Sequence, residues 1–228
     1  MGLLSGKIAF SIPQSFLKIY FKLQITVENI GKKFVKEWIF RNASFTLQSG
    51  QTYTFVGPNG SGKSTLLQLL TGIFPVSEGS IRYTDYSGKN IEEDAWYKYI
   101  VIAAPYLELV EEFTLREMVE FHSKFKPLKN KMPVSDFEDV IQLSHASNKL
   151  IRHFSSGMKQ RLKLGLAFMS DVPVIFLDEP TTNLDSQGFQ WYLDNVTLHT
   201  KNQLVLLGSN VRQEYEFCEN IISVSAFK

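Results

Sequence analysis

Hydrophobic and polar positions along the chain follow two periods, and the periods change in blocks. "LQITVENI" (23–30) and "ASFTLQ" (43–48) alternate apolar with polar residues, which predicts strands with one wet face. "TYTFVG" (52–57) runs into a glycine-rich turn, and "KSTLLQLLTGI" (63–73) then takes up helical spacing. "PVIFLDE" (173–179) and "QLVLLGS" (203–209) are short and almost wholly apolar, as strands covered on both faces are. "NIISVSAF" (220–227) reads as a last strand. Strand runs alternating with helical runs predict an α/β fold around a mostly parallel sheet.

The middle of the chain reads differently. Thr114 to Glu117 and Ser135 to Glu138 both have capping-box spacing, and apolar residues follow at helical intervals. A basic, proline-bounded connector, "KPLKNKMP" (126–133), joins them. Residues 107–154 are therefore expected to form a helical lobe inserted into the α/β core, within residues 23–228. Residues 1–22 are read as an N-terminal extension. Phe16, Ile19, Tyr20 and the following Leu23 fall at helical spacing, and an accessory tail, packed on the domain or partly disordered, is preferred to a helix that docks on a partner or a membrane.

Composition changes this picture little. The 228 residues are 44% hydrophobic and 21% charged with a net charge of +1, ordinary for a globular protein, and no nucleic-acid partner is expected. One cysteine, Cys218, excludes an internal disulfide. No run nears the roughly 18 apolar residues of a membrane-spanning helix.

The chemistry sits in the turns. Gly57-Pro58-Asn59-Gly60-Ser61-Gly62-Lys63-Ser64-Thr65 fits G-x-x-x-x-G-K-[ST] between a strand and a helix. Such a loop points successive backbone N–H groups at phosphates, and the helix adds its positive end. Lys63 is expected at the β- and γ-phosphates and Ser64 on Mg²⁺, with Thr65 assisting. Asp178, at the end of a buried run, is a second candidate for the magnesium hydration shell. Glu179 is the candidate to orient or deprotonate a water. Ser155, Ser156 and Gly157 precede a basic helical run, the chemistry of another anion site.

In that order, "GPNGSGKST", "FSSGMKQRL" (154–162), "VIFLDEP" (174–180) and "TTNLD" (181–185) resemble the Walker A, signature, Walker B and D-loop motifs of an ATP-binding cassette (ABC) ATPase domain, over about residue 23 to the end. The resemblance implies a P-loop NTPase core of RecA-like type with an N-terminal antiparallel β part. It implies a head-to-tail dimer with a second copy or a homologous ATPase domain, in which Ser155, Ser156 and Gly157 hold the γ-phosphate of the partner's ATP. Phe34 would stack on adenine, with Trp38 as rival, and Asp185 would contact the partner or cap its helix. The implied function is ATP hydrolysis to ADP and phosphate, driving a separate polytopic membrane subunit from the cytoplasmic face of the membrane. The lobe would supply the docking surface.

Three departures from the pattern bear on rate. "YIVIAAPYLELVEEF" (99–113) lacks the family's glutamine, with Ala104 or Pro105 in its place. In "LLGSNVRQE" (206–214), Asn210 stands where a histidine is usual, beside Ser209; it is kept as a catalytic candidate that can donate a hydrogen bond but carries no charge and transfers no proton. Met158 replaces the signature's last glutamine. Binding of ATP is expected throughout; hydrolysis is expected to be slower than usual, since losing one charge-stabilising donor costs about 10²–10³ in rate. The alternative is an ATP-gated binding module with little or no hydrolysis. His122, His145, His153 and His199 are read as structural or surface residues.

Overall fold

The computed structural model describes residues 23–228, so the expectations for residues 1–22 lie outside it. Among the described residues nine strands form two sheets. The first, antiparallel, has the order β2 (Glu37–Gln48), β1 (Gln24–Phe34), β4 (Glu78–Thr84), β5 (Asn90–Ile91). The second, parallel, has the order β6 (Ile100–Ala103), β7 (Val174–Asp178), β8 (Leu204–Gly208), β3 (Thr52–Val56), β9 (Asn220–Ser223). The final apolar run is split: its first half is β9, and Val224–Phe227 turns into a 3-10 helix.

The two apolar runs at 174–178 and 204–208 are buried at every position. The reason is period-2 geometry: alternate residues enter different cores. Val174 and Phe176 of β7 join Leu204 and Leu206 of β8 in a core with the antiparallel sheet and helix α1 (Lys63–Leu70). Ile175 and Leu177 join Val205 and Leu207 in a core on the opposite face. That second core is closed by α4 (Ser156–Met169), α5 (Ser186–His199) and the inserted segment. In the first core Tyr83 stacks on Trp96, ring centroids 4.3 Å apart. Both polar tips are satisfied, Tyr83 Oη donating to the Leu70 carbonyl at 2.8 Å and Trp96 Nε1 to the Ile91 carbonyl at 2.9 Å.

Residues 107–154 contain α2 (Leu115–Phe125), α3 (Val134–Val140) and short 3-10 turns. Thr114 caps α2 with the reciprocal Glu117 bond, as its spacing predicts. The second predicted box does not form. Pro133 occupies the cap of α3, so Ser135 lies inside the helix and donates to Asp136. Glu138 is instead buried, accepts from Ser147 Oγ at 2.6 Å and faces Arg116. Lys129 ties the segment to the core: its ammonium donates to the Phe168 carbonyl at 2.6 Å, the His199 carbonyl and Gln203 Oε1 at 2.6 Å. Two of those acceptors lie at the ends of α4 and α5, where a cation offsets the helix dipole.

His122 Nε2 lies 2.8 Å from Ser170 Oγ. Ser170 donates its one hydroxyl proton to the Leu166 carbonyl, so Nε2 carries the ring proton. Burial, then the nearby Lys126, pushes the His122 pKa down from 6.5 to about 4. Above pH 6.5 the ring is neutral both folded and unfolded. As pH falls from 6.5 towards 4 the unfolded chain takes up the proton first, so this contribution to stability is lost over that window. Urea unfolding at pH 7 and pH 4.5 should differ by about 2 kcal/mol more in the natural chain than in His122→Gln. An equal pH dependence in the two proteins would refute the assignment.

Candidate functional site

The register of the parallel sheet builds the site. Phe55 of β3 pairs with Gly208 of β8, and Gly208 pairs with Asp178 of β7. Three adjacent strands therefore end at one level, and the residues that follow each of them converge: Gly57 onward, Ser209-Asn210 and Glu179-Pro180. Clefts beyond the carboxyl ends of parallel strands are where such sheets bind ligands.

Each turn is shaped by its residues. The loop 57–62 leads into α1 through Gly62, whose φ of 103° disfavours a side chain and whose added Cβ would lie 2.6 Å from Ile39 Cγ2. Lys63 is 5% exposed and folds back on its own loop, donating to the Gly57 carbonyl at 2.8 Å and the Pro58 carbonyl at 3.3 Å. Burial lowers its pKa; the carboxylates of Glu179 and Asp178 pull the other way. Gly208 permits a close approach, since a Cβ there would stand 3.0 Å from Asp178 Oδ1 and 2.9 Å from Leu67 Cδ1. Glu179 is exposed, and its N–H continues the ladder to the Gly208 carbonyl at 2.9 Å. Its φ of 42° lies in the left-handed region, a strained setting for a glutamate.

Asp178 is 1% exposed, and burial raises its pKa to about 6, with Glu179 adding to the rise and Ser64 and Lys63 opposing it. Its Oδ1 and the Ser61 hydroxyl are buried with no hydrogen-bond partner among the described residues. A buried acceptor without a donor, beside the Ser64 hydroxyl that bonds to the same carboxylate, is a donor set suited to a hydrated divalent cation. Asn210 Nδ2 donates to Asn59 Oδ1 at 2.6 Å, so the turn after β8 bonds to the glycine-rich loop itself.

Ser155 caps α4, its hydroxyl accepting from Met158 N at 3.2 Å. Ser155 and Ser156 are both exposed. The helix thus starts two residues before Met158. Phe34 is 43% exposed and meets Phe74 edge-on at 5.9 Å, whereas the Trp38 ring is covered by the Arg41 guanidinium at 4.2 Å. Asp185 caps α5, accepting from Gly188 N at 2.7 Å. His145 and His153 are exposed.

Sequence reading looked for a side-chain oxygen at Ala104 or Pro105 and passed over the next residue. Tyr106 hydrogen-bonds to Gln68 and feels the charge of Asp178; burial first, then that charge, pushes its pKa up to about 12. The loop it stands on is held by Lys163 of α4, which donates to the carbonyls of Ala104 at 3.2 Å and Pro105 at 3.3 Å. Glu214 was also passed over; it has no local pattern, and only the fold brings it to Thr181 and Ser209.

The profile of the ABC transporter family matches residues 40–182. The linearmycin resistance ATP-binding protein LnrL of Bacillus subtilis is 30% identical over 86% of this chain, which spans 65% of that protein's length. The lantibiotic transport ATP-binding protein SrtF of Streptococcus pyogenes is 28% identical over 87% of this chain and 85% of its own. Among solved structures, a dimeric bacterial ABC transporter cassette superposes with a TM-score of 0.73 at 21% identity, covering 88% of this chain and 95% of that one.

Proposed function

Because the chain belongs to the ABC transporter family, we propose that it is the ATP-binding subunit of a membrane transporter, that it pairs head to tail with a second copy or a homologous domain around ATP, and that it hydrolyses the nucleotide to drive a separate polytopic membrane subunit. Among the described residues no helix is long and apolar enough to cross a membrane; in this reading the partner supplies the spans. The subunit then works at the cytoplasmic face. The observation that carries the reading is the alignment of Phe55, Gly208 and Asp178, which sets the loop 57–65, Asp178-Glu179 and Ser209-Asn210 around one cleft.

The residues divide the work by position. The free backbone N–H groups of the loop 57–62, Pro58 having none and that of Ser61 donating to the Pro58 carbonyl, and the amino end of α1 donate to phosphate oxygens, with Pro58, Asn59 and Ser61 shaping the loop and Thr65 assisting. Lys63 exchanges the carbonyls of Gly57 and Pro58 for the β- and γ-phosphates. Asp178 and Ser64 would hold Mg²⁺, which when bound neutralises charge on the phosphates. Glu179 accepts the proton of the attacking water. Phe34, the more exposed ring although Lys32 Nζ lies 5.1 Å from its centroid, stacks on adenine. Ser155, Ser156 and Gly157 face the partner's nucleotide.

A second reading has its own support. Asn210 is uncharged and already bonded to Asn59, so it brings neither a proton nor a cation to the γ-phosphate. That favours slow turnover, with closure of the dimer as the main output.

Light scattering tests the dimer. With a non-hydrolysable ATP analogue the natural chain should double in mass, and Ser155→Arg should stay monomeric while each monomer still binds the analogue through its own loop 57–65. A dimer that survives the arginine would sink the head-to-tail arrangement.

A further inference from the structure

Glu214 is 3% exposed, and none of the ion pairs among the described residues includes it. Buried carboxylates without a cation persist only when hydrogen bonds hold them. Here Oε1 accepts from the Thr181 hydroxyl and from Thr181 N at 3.3 Å, and Oε2 accepts from the Ser209 hydroxyl. Its backbone carbonyl accepts from Tyr192 Oη of α5 at 2.9 Å, which fixes the position of the short 3-10 turn Arg212–Glu214.

The two anchored residues belong to different turns. Thr181 lies two residues past Glu179, in the turn whose Asn183 carbonyl would stand 3.1 Å from a Cβ on Gly157. Ser209 lies between Gly208, the acceptor of Glu179 N–H, and Asn210, the donor to Asn59. Ser209 Oγ also accepts from Val211 N at 2.9 Å, so it is held on both sides. One carboxylate therefore spans the turn after β7 and the turn after β8.

We propose that Glu214 is a positioning residue: its two carboxylate oxygens lock the turn carrying Glu179 to the turn carrying Asn210, so that both meet the same phosphate in one fixed geometry. The proposal rests on the catalytic reading given above. Neither oxygen touches nucleotide. Binding through the loop 57–65 does not need it; alignment for reaction does. Misplacement of a reacting group by about 1 Å costs up to about 100-fold in rate.

Three variants test this. Glu214→Ala removes both arms. Glu214→Gln keeps the size, retains an acceptor for Thr181 and can donate to Ser209 Oγ. Thr181→Val removes one arm without touching Glu214. Glu214→Ala should lower kcat for phosphate release about 10–100-fold while KM for ATP stays within about threefold, and Glu214→Gln should recover most of the rate. In the nucleotide-free protein, backbone hydrogen exchange in residues 179–184 and 208–212 should accelerate together about tenfold or more in Glu214→Ala and return with Gln. Faster exchange in one turn only, or in neither, overturns the lock. So does a folded Glu214→Ala with natural kcat, or a rate loss matched by an equal rise in KM. If Glu214→Ala does not fold, Thr181→Val must show the same kcat loss at unchanged KM, and a natural kcat there overturns the proposal. A natural chain that releases no phosphate refutes hydrolysis, and the exchange measurement still decides the lock.

Discussion

Glu179→Gln is expected to reduce Mg²⁺-dependent phosphate release by about 10²–10⁴-fold, the usual contribution of a positioned general base, while ATP affinity changes by less than about threefold. The exchange is nearly isosteric and spares the backbone: the N–H bond to the Gly208 carbonyl at 2.9 Å and the φ of 42° belong to the main chain. What is lost is the ability to take a proton. Nearby Asp178 cannot substitute, because its carboxyl is 1% exposed and bonded to Ser64. The measurement is phosphate release from purified natural and variant protein, with ATP titration alongside. Equal rates in both would remove Glu179 from the chemistry and leave the ATP-gated binding module as the better account.

The largest stability effect is expected at Phe176. It is fully buried in β7, pairs in register with Ile102 and Leu206, and fills the core shared with the antiparallel sheet. Truncation to alanine loses the transfer free energy of the ring and leaves a cavity between two sheets that cannot collapse independently, a cost of about 3–5 kcal/mol. Total stability for a domain is about 5–15 kcal/mol, so the urea midpoint should fall steeply. Ile221→Ala, on edge strand β9 and 63% exposed, should stay within about 0.5 kcal/mol. Equal midpoint shifts in the two variants would contradict the two-core description of the sheet.

Much of the core could be read directly. Runs 174–178 and 204–208 announce themselves because a strand covered on both faces needs apolar residues at every position. The loop 57–65 is legible because its contacts are made by its own backbone. Features that depend on distant partners were not. Strands β4 and β5 show no clean alternation, since they border solvent and owe their place to pairing with β1. Ser135 has the spacing of a cap, yet Pro133, with its fixed φ, starts the helix first. Tyr106 hides in a loop where an amide was sought. Glu214 meets Thr181 across 33 residues, and no local pattern in a single chain encodes that meeting.

Lys163 grips two carbonyls of the segment that follows β6, and those carbonyls are main-chain atoms, indifferent to which side chains the segment carries. Tugging on α4 therefore drags Ala104 and Pro105 along like links on a short tether. Substitutions at positions 104 and 105 would change side chains and leave both of these acceptors in place.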